Sequence, residues 1–369
     1  MNRIAIIGTG FVADLYMRSI RTFPDFEISK VYDIDASRLR AFCLYWKVTP
    51  ADSLEDLLAD TVDLILNLTN PSAHFAVSRA CLLAGKHVYS EKPLATVMSQ
   101  AQELCELADS KSLLLSSAPC SVLGETAQTL WLALRRNVVG RPRLIYAELD
   151  DDFVTQAPYR SWRSESGAPW PYRDEFQTGC TLEHAGYYLS WLMAMFGSVE
   201  EVVAGAANLI ENKLEDQRQT APDFSCAILY FKSGVVARLT CSIVAPHNHQ
   251  LRVVGDGGIL EVDQSWDNHT AVRIRRRFIL RRRLINIPIT RRVKIKGTTH
   301  PKVERWGAAR MNFALGPAET LAAIREGRPS RLSSGFALHL NEVTLAIQSG
   351  GAQRMQTICP KVDPMPWAK

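Results

Sequence analysis

The sequence contains no C-x-x-C pair: its eight cysteines, Cys43, Cys81, Cys105, Cys120, Cys180, Cys226, Cys241 and Cys359, lie scattered through 369 residues. Such spacing argues against a zinc site or a disulfide frame and for reduced, mostly buried thiols. No apolar run reaches the roughly 18 residues that a membrane helix requires. The chain enters a strand-like run right after Arg3, without the apolar region and small-residue cleavage site of a secretory leader, so a cytoplasmic location is expected. Internal repeats and low-complexity segments are absent too, apart from one arginine-rich stretch. Between Arg273 and Lys296 stand eleven lysines or arginines and no acid. Taking these from the 43 basic residues leaves 32 against 38 acids, so the formal charge of +5 is a local property with a local cause.

What is present begins at the N-terminus. Arg3-Ile-Ala-Ile-Ile-Gly8-Thr9-Gly10-Phe11-Val12-Ala13 reads as a strand, a tight turn and a helix N-terminus. Gly8 permits the turn, Gly10 lets the backbone approach a pyrophosphate, and Ala13 lets the helix pack close to the strand. Free N–H groups and the positive dipole end then face the anion. The next apolar run ends in Asp33, 23 residues after Gly10. A carboxylate there accepts from a ribose 2′-hydroxyl and repels a 2′-phosphate, which favours NAD over NADP.

Beyond Asp33, strand-like and helical runs alternate as in parallel βαβ units, with helices at 36–46, 53–59, 72–84 and 100–110 and strands at 62–67, 87–90 and 113–117. In an open parallel sheet the ligand sits beyond the carboxyl ends of the strands, so Thr69, Asn70, Pro71, Glu91 and Lys92, with His74 just behind, are expected at the dinucleotide. From residue 143 the texture changes to strands at 143–149, 202–210, 224–231, 235–244, 251–254 and 259–262. Short glycine turns join several of them, so neighbours are predicted antiparallel. Helices are predicted at 124–137, 181–196, 308–326 and 336–348. The fold class is thus α/β: an N-terminal Rossmann domain over 1–120, then an α/β domain over 121–369 with a large open, mostly antiparallel sheet for substrate binding and oligomerisation.

Two blocks, Gly8-Thr9-Gly10-Phe11-Val12-Ala13 and Ala84-Gly85-Lys86-His87-Val88-Tyr89-Ser90-Glu91-Lys92-Pro93-Leu94-Ala95, resemble the signatures of the Gfo/Idh/MocA oxidoreductases. The Glu-Lys-Pro block is the more specific. The resemblance implies a Rossmann domain binding NAD, a C-terminal domain with an open sheet, a sugar or cyclitol substrate, and a homodimer or homotetramer; a nucleotide-sugar substrate is suggested only by the arginine-rich stretch. Lys92, on a proline-stiffened turn at a strand end, can hydrogen-bond a sugar hydroxyl and lower the pKa of a neighbouring group.

A third block, Gln177 to Trp191, departs from the family pattern Gly-Gly-x-x-x-Asp-x-Gly-x-His-x-x-Asp. Glu183 takes the first aspartate position, Ala185 the glycine, Tyr187 the histidine and Ser190 the second aspartate. Tyr187 at the histidine position is similar to glucose-fructose oxidoreductase and implies a phenolic acid-base group, activated by Lys92, with Glu183 holding substrate hydroxyls. A register shifted by one residue puts His184 and Tyr188 at those positions instead, and a buried aromatic helix without catalytic work is the third reading. Trp162-Arg163 resembles a family element that reaches across to the cofactor, while a composition of Pro, Arg and aromatics equally suits an exposed sugar-stacking loop. His247 and His249 can hydrogen-bond sugar hydroxyls or mark a turn at the sheet edge; without a third ligand no metal site is expected.

Around the arginine stretch, Val272-Arg273-Ile274-Arg275 and Val293-Lys294-Ile295-Lys296 alternate with period two, as paired strands with one basic face. This is either a charge-protected sheet edge or a site for an anionic partner such as a diphosphate, an acidic polysaccharide or a membrane face. Nucleic acid is discounted for want of a recognition helix or stacking platform. Beside the NAD-dependent sugar oxidoreductase stand two other readings: a redox-neutral enzyme that reoxidises its own NADH, and a non-catalytic NAD-binding regulator.

Overall fold

The computed structural model describes residues 2–214 and 220–369. Its first layer is five strands in the order β2-β1-β3-β4-β5, all parallel: β1 (Asn2–Ile7), β2 (Phe26–Tyr32), β3 (Leu64–Asn67), β4 (Val88–Ser90) and β5 (Leu115–Ser117). The helices between them are α1 (Phe11–Ile20), α2 (Ala36–Trp46), α3 (Leu54–Ala59), α4 (His74–Leu83) and α5 (Met98–Ser110). Two of them begin at a side-chain cap. Asp35 accepts from the N–H groups of Ser37 and Arg38 at α2, and Ser53 from that of Asp56 at α3. The central strands are buried on both faces, which is why β3 reads as an unbroken apolar run.

After α6 (Glu125–Arg135) and β6 (Pro142–Phe153) come three helices, α7 (Tyr172–Thr178), α8 (Cys180–His184) and α9 (Gly186–Phe196). Then follow β7 (Val199–Ala207), β8 (Phe224–Phe231), β9 (Val236–Ser242), β10 (Val244–Asn248), β11 (Leu251–Gly255), β12 (Gly258–Val262), β13 (Val272–Leu280), β14 (Arg283–Asn286) and β15 (Arg291–Val293). The chain closes with α10 (Leu315–Glu326), α11 (Ser334–Ser349) and β16 (Gly351–Arg354). The second sheet has eleven strands in the order β14-β13-β12-β11-β6-β9-β8-β7-β16, with β10 on β6 and β15 on β13. Only the β6–β9 pair is parallel, so the sheet is mixed and largely antiparallel, as the short turns predict. The first basic run lies in β13 and pairs with β15, Val272 opposite Val293 and Arg273 opposite Arg292, but β15 ends at Val293, so residues 294–296 lie outside the strand expected there; an added hairpin joins Leu280 and Arg283.

Several boundaries differ from the sequence reading, each with a local cause. The strand expected over 202–210 starts at Val199 and ends at Ala207, because the buried Asp223 carboxylate accepts from the N–H groups of Leu209 and Ile210 and bends the chain. The helix expected from 308 begins at Leu315, after the Asn312 side chain has accepted from the Ala314 N–H. The predicted helix over 181–196 is two, parted at Ala185, where Gly186 lies so close to Pro119 that an added Cβ would stand 3.1 Å from its ring.

The last two helices return to the first sheet. Gly316 of α10 lies against the ring of the buried Tyr89, where any Cβ would collide with it, and Phe313 packs on Tyr16. The Ser19 hydroxyl accepts from the Phe313 N–H at 3.0 Å, and Asn341 of α11 accepts from that of Ala95.

Candidate active site

A cleft of about 430 Å³ opens between the carboxyl ends of the parallel strands and the helices in front of the large sheet. One wall carries Gly10, Phe11, Val12, Thr69, Asn70, Pro71, His74, Glu91 and Lys92; the other carries Asp151, Trp170, Glu175, Glu183, His184, Tyr187 and Trp266. The strand-end turns therefore gather where the sheet topology puts a ligand.

Gly8 has φ +97, and a Cβ on it would meet the Leu68 carbonyl at 2.6 Å, so both the turn and the close packing require glycine. Gly10 faces open space at the N-terminus of α1, whose first N–H groups have no side-chain cap. That is a cradle for a pyrophosphate and fits a dinucleotide. Asp33 is 8 % exposed, and both of its oxygens are engaged: Oδ2 accepts from the N–H and hydroxyl of Thr9, and Oδ1 from the Asp35 N–H and the Arg38 guanidinium. A ribose hydroxyl reaching Asp33 would share or displace Arg38, a residue the sequence reading did not single out.

Across the cleft, Lys92 sits beside a cis peptide to Pro93 and forms an ion pair with Glu183. Burial opposes the ammonium charge, but Glu183, with help from Tyr187, Glu175 and Glu91, more than offsets this and holds Lys92 above its ordinary pKa. Burial likewise pushes the Tyr187 phenol well up; Lys92 pulls it down, and burial wins. The activation that the sequence reading assigns to Lys92 thus acts in the expected sense but is the smaller effect. Glu175, which no spacing signal marks, is raised well above its usual range by burial and then by Glu183.

Other sequence-marked residues have their places. Glu91 accepts from the buried Tyr16 hydroxyl at 2.6 Å and from the Lys92 N–H. The His74 ring spans the Pro93 and Thr69 carbonyls, tying two turns of the cleft together, and burial pulls its pKa down. Asn70 donates across the cleft to Asp174 at 2.8 Å. Ser190 is fully buried behind Tyr187, and the Tyr188 hydroxyl points away into the sheet, donating to the His249 carbonyl. His184 does face the cleft, with Nε2 3.3 Å from Asp151 Oδ2. His247 lies on β10, paired to β6, rather than in an edge turn.

Trp162 and Arg163 do not line the cleft. Trp162 packs on Trp170, which does, and Arg163 donates to the carbonyls of Arg160 and Trp162. The loop that follows them crosses to the first domain. Ser166 donates to Asp14 at 2.8 Å and Glu165 pairs with Arg18. This loop covers a smaller recess of about 170 Å³ lined by Thr9, Ser37, Arg38 and Ala41, beside Asp33. Among the described residues, none of the basic ones between Arg273 and Lys296 lines either recess.

Parallel strands ending on a glycine cradle, with an acid-base cluster facing them from a second domain, define a two-domain dinucleotide-dependent oxidoreductase. The chain belongs to the GFO/IDH/MocA family: residues 2–118 match the oxidoreductase family's NAD-binding Rossmann fold, and residues 128–261 the GFO/IDH/MocA C-terminal domain. It is 23 % identical over 270 residues to the trans-1,2-dihydrobenzene-1,2-diol dehydrogenase of Bos taurus, covering 72 % of this chain and 75 % of that one. Among solved structures it is similar to the UDP-N-acetylglucosamine 3-dehydrogenase GnnA from Acidithiobacillus ferrooxidans, with a TM-score of 0.70, 19 % identity, and 95 % and 97 % of the two chains covered. The WlbA dehydrogenase from Bordetella pertussis, in complex with NADH and UDP-GlcNAcA, aligns with a TM-score of 0.72 and 18 % identity over 96 % and 97 % of the chains. No helix among the described residues is long and apolar enough to cross a membrane.

Proposed function

We propose that the cleft carries out hydride transfer between NAD(H) and a secondary hydroxyl or ketone carbon of a sugar or nucleotide-sugar, with Tyr187 moving the proton. The observation that carries this reading is the convergence of Lys92, Glu183 and Tyr187, from both domains, beside the dinucleotide cradle. When bound, the nicotinamide supplies or accepts the hydride. Tyr187, kept protonated by burial, is poised to give its proton to the developing alkoxide of a ketone; in the oxidative direction the Lys92 ammonium stabilises the phenolate that must take the hydroxyl proton. Glu183 fixes the Lys92 ammonium and offers its remaining oxygen to a neighbouring hydroxyl. Trp170 and Trp266 present ring faces and edges for the apolar side of a six-membered ring. Sugars and the diol named for the bovine relative share a ring-borne vicinal diol, which this arrangement suits. Ile228 and Tyr230 on the open face of β8 are the surface on which a homodimer or homotetramer would form.

The test incubates purified protein with NAD and pooled sugars, nucleotide-sugars and trans-1,2-dihydrobenzene-1,2-diol, following NADH absorbance for wild type and Tyr187→Phe. Wild-type turnover is expected, reduced about 10²- to 10⁴-fold in the variant with NADH affinity unchanged. Equal turnover in both removes Tyr187 from the chemistry. Tight NAD binding with no net NADH moves the redox-neutral and regulatory readings ahead, and altered sugars in the pool tell those two apart.

A further inference from the structure

Asp151, His247 and His249 bring one ligand atom each to within 4.8 Å of one another at the edge of the cleft. They come from different places in the sequence. Asp151 lies on β6, and the two histidines lie at and just past the end of β10, which pairs with β6. That pairing carries a register shift: Ala245 faces Asp152 and Asn248 faces Asp150, so Pro246 and His247 together oppose Asp151. Such an extra residue turns side chains toward one point, and Asp152 beside it holds φ +63, an uncommon conformation for a non-glycine residue.

Two proton inventories around this cluster do not close. His249 is 1 % exposed; Nδ1 meets the Ser265 hydroxyl at 3.3 Å, and Nε2 is buried with no partner. A buried ring nitrogen left so is unfavourable whichever tautomer the ring adopts. His184 Nδ1 lies 3.0 Å from the Cys180 carbonyl, which can only accept, so Nδ1 carries the proton. In the neutral ring Nε2 then turns a lone pair on the Asp151 carboxylate 3.3 Å away. A metal cation between these groups satisfies both at once, whereas a second proton on His184 would satisfy only the Asp151 contact and leave His249 Nε2 without a partner.

We propose that Asp151, His247 and His249 bind a divalent first-row transition-metal ion of the Zn²⁺ type, with His184 as the fourth ligand. Three imidazoles and one carboxylate form a borderline donor set suited to Zn²⁺ rather than Mg²⁺ or Ca²⁺. For Asp151, His247 and His249, closing from the present spacing to bond lengths of about 2.0–2.2 Å requires side-chain movement of roughly 1 Å, whereas His184, 3.3 Å from Asp151 but outside that group of three, must swing further to join them. Gln264, 2.9 Å from His247 Nε2, is placed to accept from it once its carboxamide oxygen faces the ring, leaving Nδ1 toward Asp151. The edge contact of Trp266 on His249, 4.3 Å between centroids, shields one side. The site stands independently of the hydride-transfer reading.

The experiment titrates chelator-treated full-length protein with Co²⁺, read by visible d–d absorption, and with Zn²⁺, read by calorimetry. Wild type is expected to bind one equivalent with nitrogen and oxygen ligation and no thiolate charge-transfer band. His247→Ala, at an exposed position, should weaken Zn²⁺ binding at least about 100-fold while NADH affinity and circular dichroism stay at wild-type values. His249→Gln should do the same. Absence of a Co²⁺ spectrum in wild type, a thiolate band, or undiminished binding in folded His247→Ala would each overturn the proposal.

Discussion

At the scale of single residues, the cleft is a contest between burial and neighbouring charge. Lys92 keeps its proton against burial because Glu183 faces it; Tyr187 keeps its proton because burial outweighs Lys92. Burial likewise raises Glu175, and its linkage to stability has a definite sign. Its folded pKa is raised, so as pH climbs through the unfolded value of about 4.3 the unfolded chain ionises first and the fold loses stability. Urea unfolding from pH 4 to 8 should show wild type losing ground to Glu175→Gln as pH rises; parallel curves would mean that Glu175 is ionised in the fold. Gly8 and Gly10 are legible in the sequence because a turn and a close backbone approach call for glycine, and Lys92 because it stands at a strand end in a specific Glu-Lys-Pro block. Glu175 and Asp151 are not, since an acid in an ordinary helix or strand acquires its meaning from what tertiary pairing sets beside it. Asp33 is an intermediate case. Its place after β2 is legible, whereas its engagement by Thr9 and Arg38 depends on side-chain geometry that spacing does not encode.

Among elements, the parallel sheet follows from alternation alone, and α2 runs over the predicted residues because Asp35 caps its start and Lys47, at φ +58, ends it. Of the two basic runs the first was readable as a strand from its period of two, while the second contributes only Val293 to the strand that pairs with it. The break at Ala185 was not: the sequence has one continuous helical pattern there, and packing against Pro119 interrupts it. At α6, whose first turn has no side-chain cap of its own, a distant residue stands in. His300 Nε2 accepts from the Glu125 N–H at 3.1 Å while Nδ1 donates to the Pro301 carbonyl. Burial pulls His300 down to about 4, so the ring must stay neutral to accept. A depressed folded pKa means that this contribution is intact above the unfolded value near 6.5 and is lost as pH falls toward 4, by at most on the order of 3 kcal/mol. Thermal unfolding at pH 7 and pH 5 checks this. His300→Gln should start less stable and lose less on acidification than wild type, and an equal loss in both would assign the acid sensitivity elsewhere.

The whole molecule is two sheets joined by more than a linker. Ser166 on Asp14, Glu165 on Arg18 and Asn70 on Asp174 tie the far wall of the cleft to the dinucleotide domain, and α10 and α11 cover the back of that domain. A fragment of residues 1–120 would therefore leave Tyr16, Tyr89 and Ser19 uncovered, although it contains every strand of its sheet. It should aggregate or bind a hydrophobic dye when expressed alone, measured by light scattering and dye fluorescence against the full chain; a monodisperse, NADH-binding fragment would show that the cover is dispensable. The contact of Gly316 with Tyr89 also sets a timetable. About 200 residues separate β5 from α10, and at roughly 5–20 residues per second a ribosome needs on the order of 10–40 s to make them. For that interval the nascent dinucleotide domain is a finished sheet whose aromatic back stays bare until the last helices emerge.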